Sequence, residues 1–292
     1  MKEEKKYRVM AGVVCYNPEI YTFEKNLKSI VSQADETLIV DNNSANSRDI
    51  DKLVSGFNKF GNKRVSILHN PDNYGVSKAL NQIMQIAYDG EFEWVLTMDQ
   101  DTELPESYIK KNLELIINLQ DHRIAVVNGQ YVEKGRDHQC NQRKKSFSDT
   151  DHVITSGSIV SADKWKNVGG FDEKLFIDFV DTDFCFKCRE NGFRIIQNNA
   201  VRFIHSLGTR NDIILLGKRR VSYMTHSPYR EYFMARNAVY FDRKHFGKLT
   251  KEHLWGISKQ YIKAILLESD KIERLLRITK GIIDGLDMEV NR

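Results

Sequence analysis

The stretch Trp94–Pro105, WVLTMDQDTELP, decides how this chain is read. An apolar run, Trp94-Val95-Leu96-Thr97-Met98, is closed by two carboxylates one residue apart, Asp99 and Asp101. A buried strand does not end in paired negative charge without a reason, because carboxylates that close repel unless a cation neutralises them. Upstream, strand and helix patterns alternate. YRVMAGVVCY (7–16), ETLIVD (36–41), RVSILHN (64–70) and FEWVLTMD (92–99) read as strands. NPEIYTFEKNLKSIVSQ (17–33), SANSRDIDKLVSGFNKF (44–60) and GVSKALNQIMQIAYDG (75–90) read as the helices between them. Asn17 is the expected N-cap of the first helix, with Pro18 in its first turn. This order predicts an α/β fold, a mostly parallel sheet covered on both faces. Ligands of such sheets bind beyond the carboxyl ends of the strands.

Polar clusters fall on that edge. Asp41 ends the second strand in IVDNNS, Asn70–Gly75 (NPDNYG) follows the third, and Asp99 and Asp101 follow the fourth. If the backbone stays extended through Asp101, the two carboxylates point to one side with Cα atoms ~6–7 Å apart, and Gln100 points away. Hard divalent ions such as Mg²⁺ or Mn²⁺ take a few oxygens from protein and more from phosphate, so the pair suggests a metal–diphosphate site. A hydrated acidic turn is the plainer reading of a bare D-x-D. Asp41 is placed to accept the imide N–H of a pyrimidine, or it is a turn former in DNNS. A third carboxylate group, Asp178, Asp181 and Asp183, lies in the otherwise apolar LFIDFVDTDFC. Apolar surroundings suit a general base, while a cap on the following helix is the alternative for one of the three.

The second half is less regular. Lys134–Asp151 is polar and rich in turn formers and reads as a loop. HVITSGSIVS (152–161) returns to strand, and a helix is expected around Thr182–Asn191 with Gly192 as its cap. Three helical patterns follow Arg230, and a break at Phe246-Gly247 divides an expected domain 1–246 from a C-terminal helical segment 247–292. That segment interleaves Trp255, Ile257, Ile262, Ile278 and Ile282 with Lys259, Lys263, Arg274 and Lys280. A basic amphipathic helix lies on anionic lipid, packs on the core or meets a second subunit.

The chain has 292 residues, 41% of them hydrophobic, which is ample for a packed core. MKEEKKYRVM has no apolar signal segment and no run approaches the ~20 residues that span a bilayer, so a cytoplasmic location is expected. The net charge of +4 is compatible with anionic substrates or a membrane surface. Cys185 and Cys188 form a C-x-x-C without the second pair a zinc site needs, and read as buried thiols. No G-x-G-x-x-G follows the first strand, which argues against a dinucleotide dehydrogenase. The short Arg143-Lys144-Lys145 cluster lacks stacking aromatics, so no nucleic-acid partner is expected.

Taken in order, VVCYNP, IVDNNS, NPDNYGVSKALNQ, VLTMDQDTELP, ITSGSIVS, GGFDEKLFIDFVDTDFC and HSLG resemble the inverting family-2 glycosyltransferases of GT-A (Rossmann-like) fold. Within them, LTMDQD, LFIDFVDTDFC and SPYREYFMARN are similar to bacterial rhamnosyltransferases that use dTDP-L-rhamnose. The resemblance covers Val9 to Phe246. It implies that Asp41 contacts the pyrimidine, and that Asn43, Asn73, Gly75, Lys78, Asn81 and Gln100 shape the nucleotide-sugar pocket. It implies that Asp99 contacts ribose or sugar, that Asp101 holds Mg²⁺ or Mn²⁺ with Asp99 and His205 as further ligands, and that Arg230, Arg236 and Asn237 reach the diphosphate. Asp181 is then the base. Many relatives carry Glu-Asp where this chain has Val180-Asp181, which leaves Asp178 and Asp183 as secondary carboxylates. The implied acceptor is a glycan or a polyprenyl-diphosphate-linked saccharide, the implied habit peripheral to the membrane, and a homo-oligomer is open. A UDP-hexose or galactofuranose donor is the alternative within the family, because uracil and thymine share the imide. A non-catalytic sugar-nucleotide-binding protein is the alternative outside it, although Asp101 and Asp181 are both retained.

Overall fold

Seven consecutive buried residues, VMAGVVC, make β1 (Val9–Cys15) a central strand of a sheet covered on both faces. The structure is a computed structural model that describes residues 7–60, 64–133, 145–205, 209–215 and 219–290. The chain forms two compact units, Met1–Lys174 with Val180–Ser206, and Leu175–Phe179 with Leu207–Arg292.

In the first unit β1 is followed by α1 (Ile20–Val31), β2 (Glu36–Asp41), α2 (Ser47–Phe60), β3 (Arg64–His69), α3 (Gly75–Asp89) and β4 (Trp94–Asp99). Then come α4 (Tyr108–Leu119), β5 (Ile124–Glu133), β6 (Phe147–Asp149), β7 (Ser158–Ser161), α5 (Ala162–Asn167), α6 (Val180–Glu190) and β8 (Arg194–His205). The strands form one sheet in the order β3-β2-β1-β4-β7-β5-β8-β6. β1 runs parallel to β2 and β4, β2 to β3, and β5 to β8. β7 is antiparallel to β4 and β5, and β6 to β8. The sheet is therefore mixed and mostly parallel, as the alternating patterns predict. Since β2 lies on one side of β1 and β4 on the other, the chain reverses its direction of travel between β1 and β4. Their carboxyl ends flank the crevice where such sheets bind ligands. α3 lies so close over β1 that a Cβ on Gly12 would overlap the Ile83 side chain.

Several local expectations are corrected. The cap of α1 is Glu19, whose carboxylate accepts from the Tyr21 and Thr22 amides. Asn17 instead adopts a left-handed conformation, φ 48°, and its side chain accepts from the Ala45 amide at 2.7 Å. Of the loop expected over Lys134–Asp151, residues 134–144 lie outside the described residues, including Arg143 and Lys144, and Phe147–Asp149 is strand β6 rather than loop. Only Ser158–Ser161 of the expected strand 152–161 is strand. Cys185 and Cys188 are buried free thiols, and burial pushes Cys188 up to about 12.

The second unit holds an antiparallel hairpin, β9 (Thr209–Leu215) and β10 (Arg219–Thr225), and three helices, α7 (Pro228–Phe246), α8 (Lys251–Leu266) and α9 (Lys271–Asp287). Ser227 caps α7 and Pro228 sits in its first turn, where no amide partner is lost. Gly247 ends α7 in the left-handed region. The break expected at Phe246-Gly247 falls inside this unit, because Ala235, Ala238 and Val239 of α7 share an apolar core with Ile257 and Ala264 of α8 and Ile278 of α9. α9 packs against α7 at backbone contact: a Cβ on Gly281 would overlap the Tyr232 carbonyl, and one on Gly285 the Arg236 carbonyl.

A buried ion cluster ties the same helices together. Glu231 of α7 is fully buried and pairs with Lys263 of α8 at 2.8 Å and Arg274 of α9 at 3.0 Å. Arg274 and Lys263 also reach Glu268, at 3.4 and 3.5 Å. Lys263 and Arg274, read from sequence as part of a basic outer face, are thus neutralised inside the unit.

Candidate active site

β4 does not continue through the D-x-D. It ends at Asp99, and Gln100 and Asp101 form a turn, so the expected same-side projection from an extended strand is corrected. The turn is held from α1, where the buried Asn26 donates to the Asp99 and Thr102 carbonyls at 2.9 and 2.6 Å. From the other side the Asp99 amide donates to Ser156 Oγ at 3.2 Å. Ser156 lies beside Gly157, whose φ of +80° suits glycine and whose carbonyl accepts from the buried Tyr108 hydroxyl at 2.7 Å. Gln100 Oε1 accepts from the Tyr16 amide at 2.8 Å, which bridges the ends of β4 and β1. Gln100 is therefore engaged with the protein itself.

The turn also meets the end of β8. Thr102 Oγ1 and His205 Nδ1 are 2.7 Å apart, and Glu103 bridges to Ile204. Burial holds His205 below the ordinary histidine value, although the charge of Asp101 works the other way. A neutral imidazole with one nitrogen fixed by a neighbour is the form in which histidine ligates metals. Among the described residues, no group of three or more His, Cys, Asp or Glu side chains is gathered tightly enough to hold a metal. What Asp101 and His205 offer is a partial donor set, and that fits an ion such as Mg²⁺ or Mn²⁺ that takes its other oxygens from diphosphate and water.

Asp41 at the end of β2 is almost fully buried, at 1% exposure. Its Oδ1 accepts from the Ser44 amide at 3.0 Å, and its Oδ2 lies 2.9 Å from His69 Nδ1. The other ring nitrogen of His69 is 2.9 Å from Asp51. Burial alone would lower the His69 value, but its bonds to Asp41 and Asp51 outweigh that and raise it. The expected pyrimidine contact is thus already latched by a histidine.

Asn42 and Asn70 beside it are buried and bonded to each other at 2.8 Å, while Asn43 is exposed in a left-handed conformation. Asn73 Oδ1 accepts from the Gly75 amide at 3.0 Å, where α3 begins with φ +80°. Lys78 pairs with Glu173 at 2.8 Å. Asn81 accepts from Trp165 Nε1 and the Phe171 amide and donates to Phe171 O and Glu173. These bonds pack α3 on the 165–173 segment.

Asp181 stands in the first turn of α6, where a helix dipole favours negative charge. It is partly exposed, its Oδ1 accepts from the Thr182 amide at 2.8 Å, and His152 Nε2 lies 3.5 Å from the same oxygen. Burial works to lower the His152 value, but the bond to Asp181 raises it overall. Asp181 also lines a small apolar cavity with Thr97, Val153, Thr155 and Phe184. Asp183, by contrast, is fully buried and lies 3.7 Å from Lys187.

Asp178 belongs to the second unit and is engaged there by Arg230, with contacts of 2.8 and 3.1 Å. Asp178 and Phe179 both adopt left-handed conformations, φ 62° and 65°. The buried Asn237 donates to the carbonyls of Ile177 and Asp178 at 2.7 and 3.0 Å. Arg236 donates to Asn237 Oδ1 at 2.8 Å and sits over the Phe233 ring. The Arg-Asn segment thus makes structural bonds within its own unit. Asn26, His69, Thr102 and His152 are the residues that sequence reading missed.

The family model described as "Glycosyl transferase family 2" matches residues 11–194. The chain is 25% identical over 299 aligned residues, 95% of each chain, to "dTDP-rhamnosyl transferase RfbF" of Shigella flexneri. It is 21% identical, over 90% of this chain and 86% of the relative, to "Low-salt glycan biosynthesis hexosyltransferase Agl10" of Haloferax volcanii. Among solved structures it resembles GalNAc-T7, crystallised with UDP, GalNAc and Mn²⁺, with a TM-score of 0.63 at 12% identity. That match covers 98% of this chain and 57% of the other, and at that identity it speaks for the fold alone.

Proposed function

Because the chain belongs to glycosyl transferase family 2, we propose that it moves L-rhamnose from dTDP-β-L-rhamnose to a glycan acceptor with inversion at the anomeric carbon. One observation carries the donor assignment: the likeness to a dTDP-rhamnosyl transferase runs through 95% of both chains. In this reading Asp181 takes the proton from the acceptor hydroxyl as that oxygen attacks, the bond to diphosphate breaks in the same displacement, and no covalent enzyme intermediate forms. Asp101 and His205, with Asp99 beside them, would hold Mg²⁺ or Mn²⁺. When bound, such an ion stabilises the charge that develops on the leaving diphosphate. Asn26 and Thr102 hold the turn in place for that task, and His69 moves aside for the base to reach Asp41. The acceptor is a polyprenyl-diphosphate-linked saccharide at the inner face of the cell membrane, and the protein acts from the cytoplasm.

The test is calorimetry with dTDP-L-rhamnose and UDP-sugars in the presence of Mg²⁺ or Mn²⁺. The rhamnose donor is expected to bind roughly tenfold tighter or more, a scale typical of one well-used polar or methyl difference. Chelation of the metal is expected to weaken that binding. Binding of UDP-hexoses alone overturns the donor and favours the hexosyl reading, which the likeness to a hexosyltransferase supports.

His152 gives a pH prediction. Its value is raised by the bond to Asp181, so the imidazolium persists to higher pH than usual and, while charged, pairs with the carboxylate that is to take the acceptor's proton. Transfer is expected to accelerate as pH climbs through the His152 titration. His152→Gln should move that acid limb to lower pH in a kcat profile. A limb that stays in place would remove His152 from the neighbourhood of the base.

A further inference from the structure

We propose that the His69 ring is a charged latch on Asp41, and that a pyrimidine nucleotide displaces it and expels a proton as it binds. The inference rests on the imide contact proposed above for Asp41. His69 and Asp41 stand side by side, in register, at the ends of β3 and β2, and β3 is the edge strand of the sheet. Nδ1 lies 2.9 Å from Asp41 Oδ2, and Nε2 lies 2.9 Å from Oδ1 of Asp51 on α2. A carboxylate only accepts, so each ring nitrogen bonds its partner by carrying a hydrogen. A ring that bonds both is an imidazolium. Burial opposes that charge, and the bonds to Asp51 and Asp41 outweigh it. The other groups around the pair leave this balance alone. Burial keeps the Cys15 thiol of β1, 3.9 Å from Asp41 Oδ1, protonated. Asp49 on α2 is paired with Lys52 at 2.8 Å, and toward α3 the neighbours are the neutral amides Asn42, Asn70 and Gln82.

Of the groups that cover Asp41, the ring is the one able to make way. Oδ1 is covered by the Ser44 amide at 3.0 Å and the Cys15 thiol, and both residues are buried. Oδ2 is covered by His69, which is 40% exposed at the sheet edge. A pyrimidine imide N–H replaces the Nδ1–H as a donor to Oδ2 and brings no charge of its own. The displaced ring keeps only the exposed Asp51 as a partner, so it holds its proton less firmly, the ring N–H bond breaks and the proton passes to water. The sign follows from the two protonation states. At low pH the ring is charged, the latch is closed and the nucleotide competes with it. As pH climbs through the titration of the latched ring, one of the two carboxylate bonds is lost and Asp41 is freed. Affinity for the nucleotide should therefore rise with pH over that range and level off above it.

The test is calorimetry on the full chain with dTDP-L-rhamnose and with UDP-glucose, at fixed Mg²⁺, in buffers of different ionisation heat. Both nucleotides present the same imide, so the coupling is read whichever donor binds better. Kd is expected to be about three- to tenfold higher at about pH 6 than at about pH 8, with up to about one proton released on binding. By NMR, the His69 ring should titrate at lower pH with nucleotide bound than in the free chain. His69→Ala should bind with one affinity across the range, and Asp51→Asn should move the dependence to lower pH. His152→Gln should leave it in place. The same pH dependence in His69→Ala as in the native chain overturns the latch, as does binding without proton release, and either result leaves the donor assignment standing. Tighter binding of UDP-glucose with the coupling intact overturns the donor and supports the latch. Binding of neither nucleotide at any pH overturns the latch together with the pyrimidine contact.

Discussion

Asp181→Asn is expected to lower kcat by about 10²–10⁴-fold, the range a positioned general base contributes, while donor affinity stays within about twofold. The substitution keeps the shape of the side chain and the acceptor for the Thr182 amide, and removes only the ability to take a proton. Donor binding is read by calorimetry and transfer by product formation under saturating donor. The split between the two is the informative result, because a misfolded or emptied site loses both together. Full transfer by Asp181→Asn would move the base elsewhere, and Asp178 and Asp183 would be poor successors. Arg230 holds Asp178, and Asp183 is fully buried near Lys187.

Glu231→Ala is expected to be the most destabilising substitution of an ion pair in the second unit. Its carboxylate is fully buried between Lys263 and Arg274, at 2.8 and 3.0 Å. Removing it leaves two cations facing each other, with only Glu268 between them. Breaking a buried pair in this way costs about 3–5 kcal/mol, because the remaining charge loses its compensation. Chemical denaturation followed by circular dichroism reads the loss. A cost below roughly 1 kcal/mol would mean that water or Glu268 replaces the missing carboxylate. Exposed pairs on the same helices, such as Lys280 with Asp284, are expected to contribute far less.

The sheet from β1 to β4 was legible because each strand is a short apolar run and each intervening helix has its own period. Asp99, Asp101 and Asp181 were legible for the opposite reason, since charge interrupts an apolar pattern at those points. β8 gave no such signal. Its RIIQNNAVRFIH alternates irregularly between buried and exposed, and its pairing with β5 shifts register at Gly129. The supports of the candidate site were hidden for a more general reason. Asn26 is separated from Asp99 by 73 positions and Thr102 from His205 by 103, so only the fold brings them together. Asn81 and Arg230 have partners in the fold that their motifs do not announce, Trp165 and Phe171 for the one and Asp178 for the other.

Gly281 and Gly285, one helical turn apart, let α9 lie directly on the backbone of α7. Sliding α9 by a single residue would set larger side chains against the Tyr232 and Arg236 carbonyls, so the pair has one register and no neighbouring one to drift into. A helix pair with a single setting loosens all at once. In hydrogen exchange, the inner amides of α7 and α9 should therefore open as one event with a shared free energy, while the hairpin of β9 and β10 opens on its own schedule.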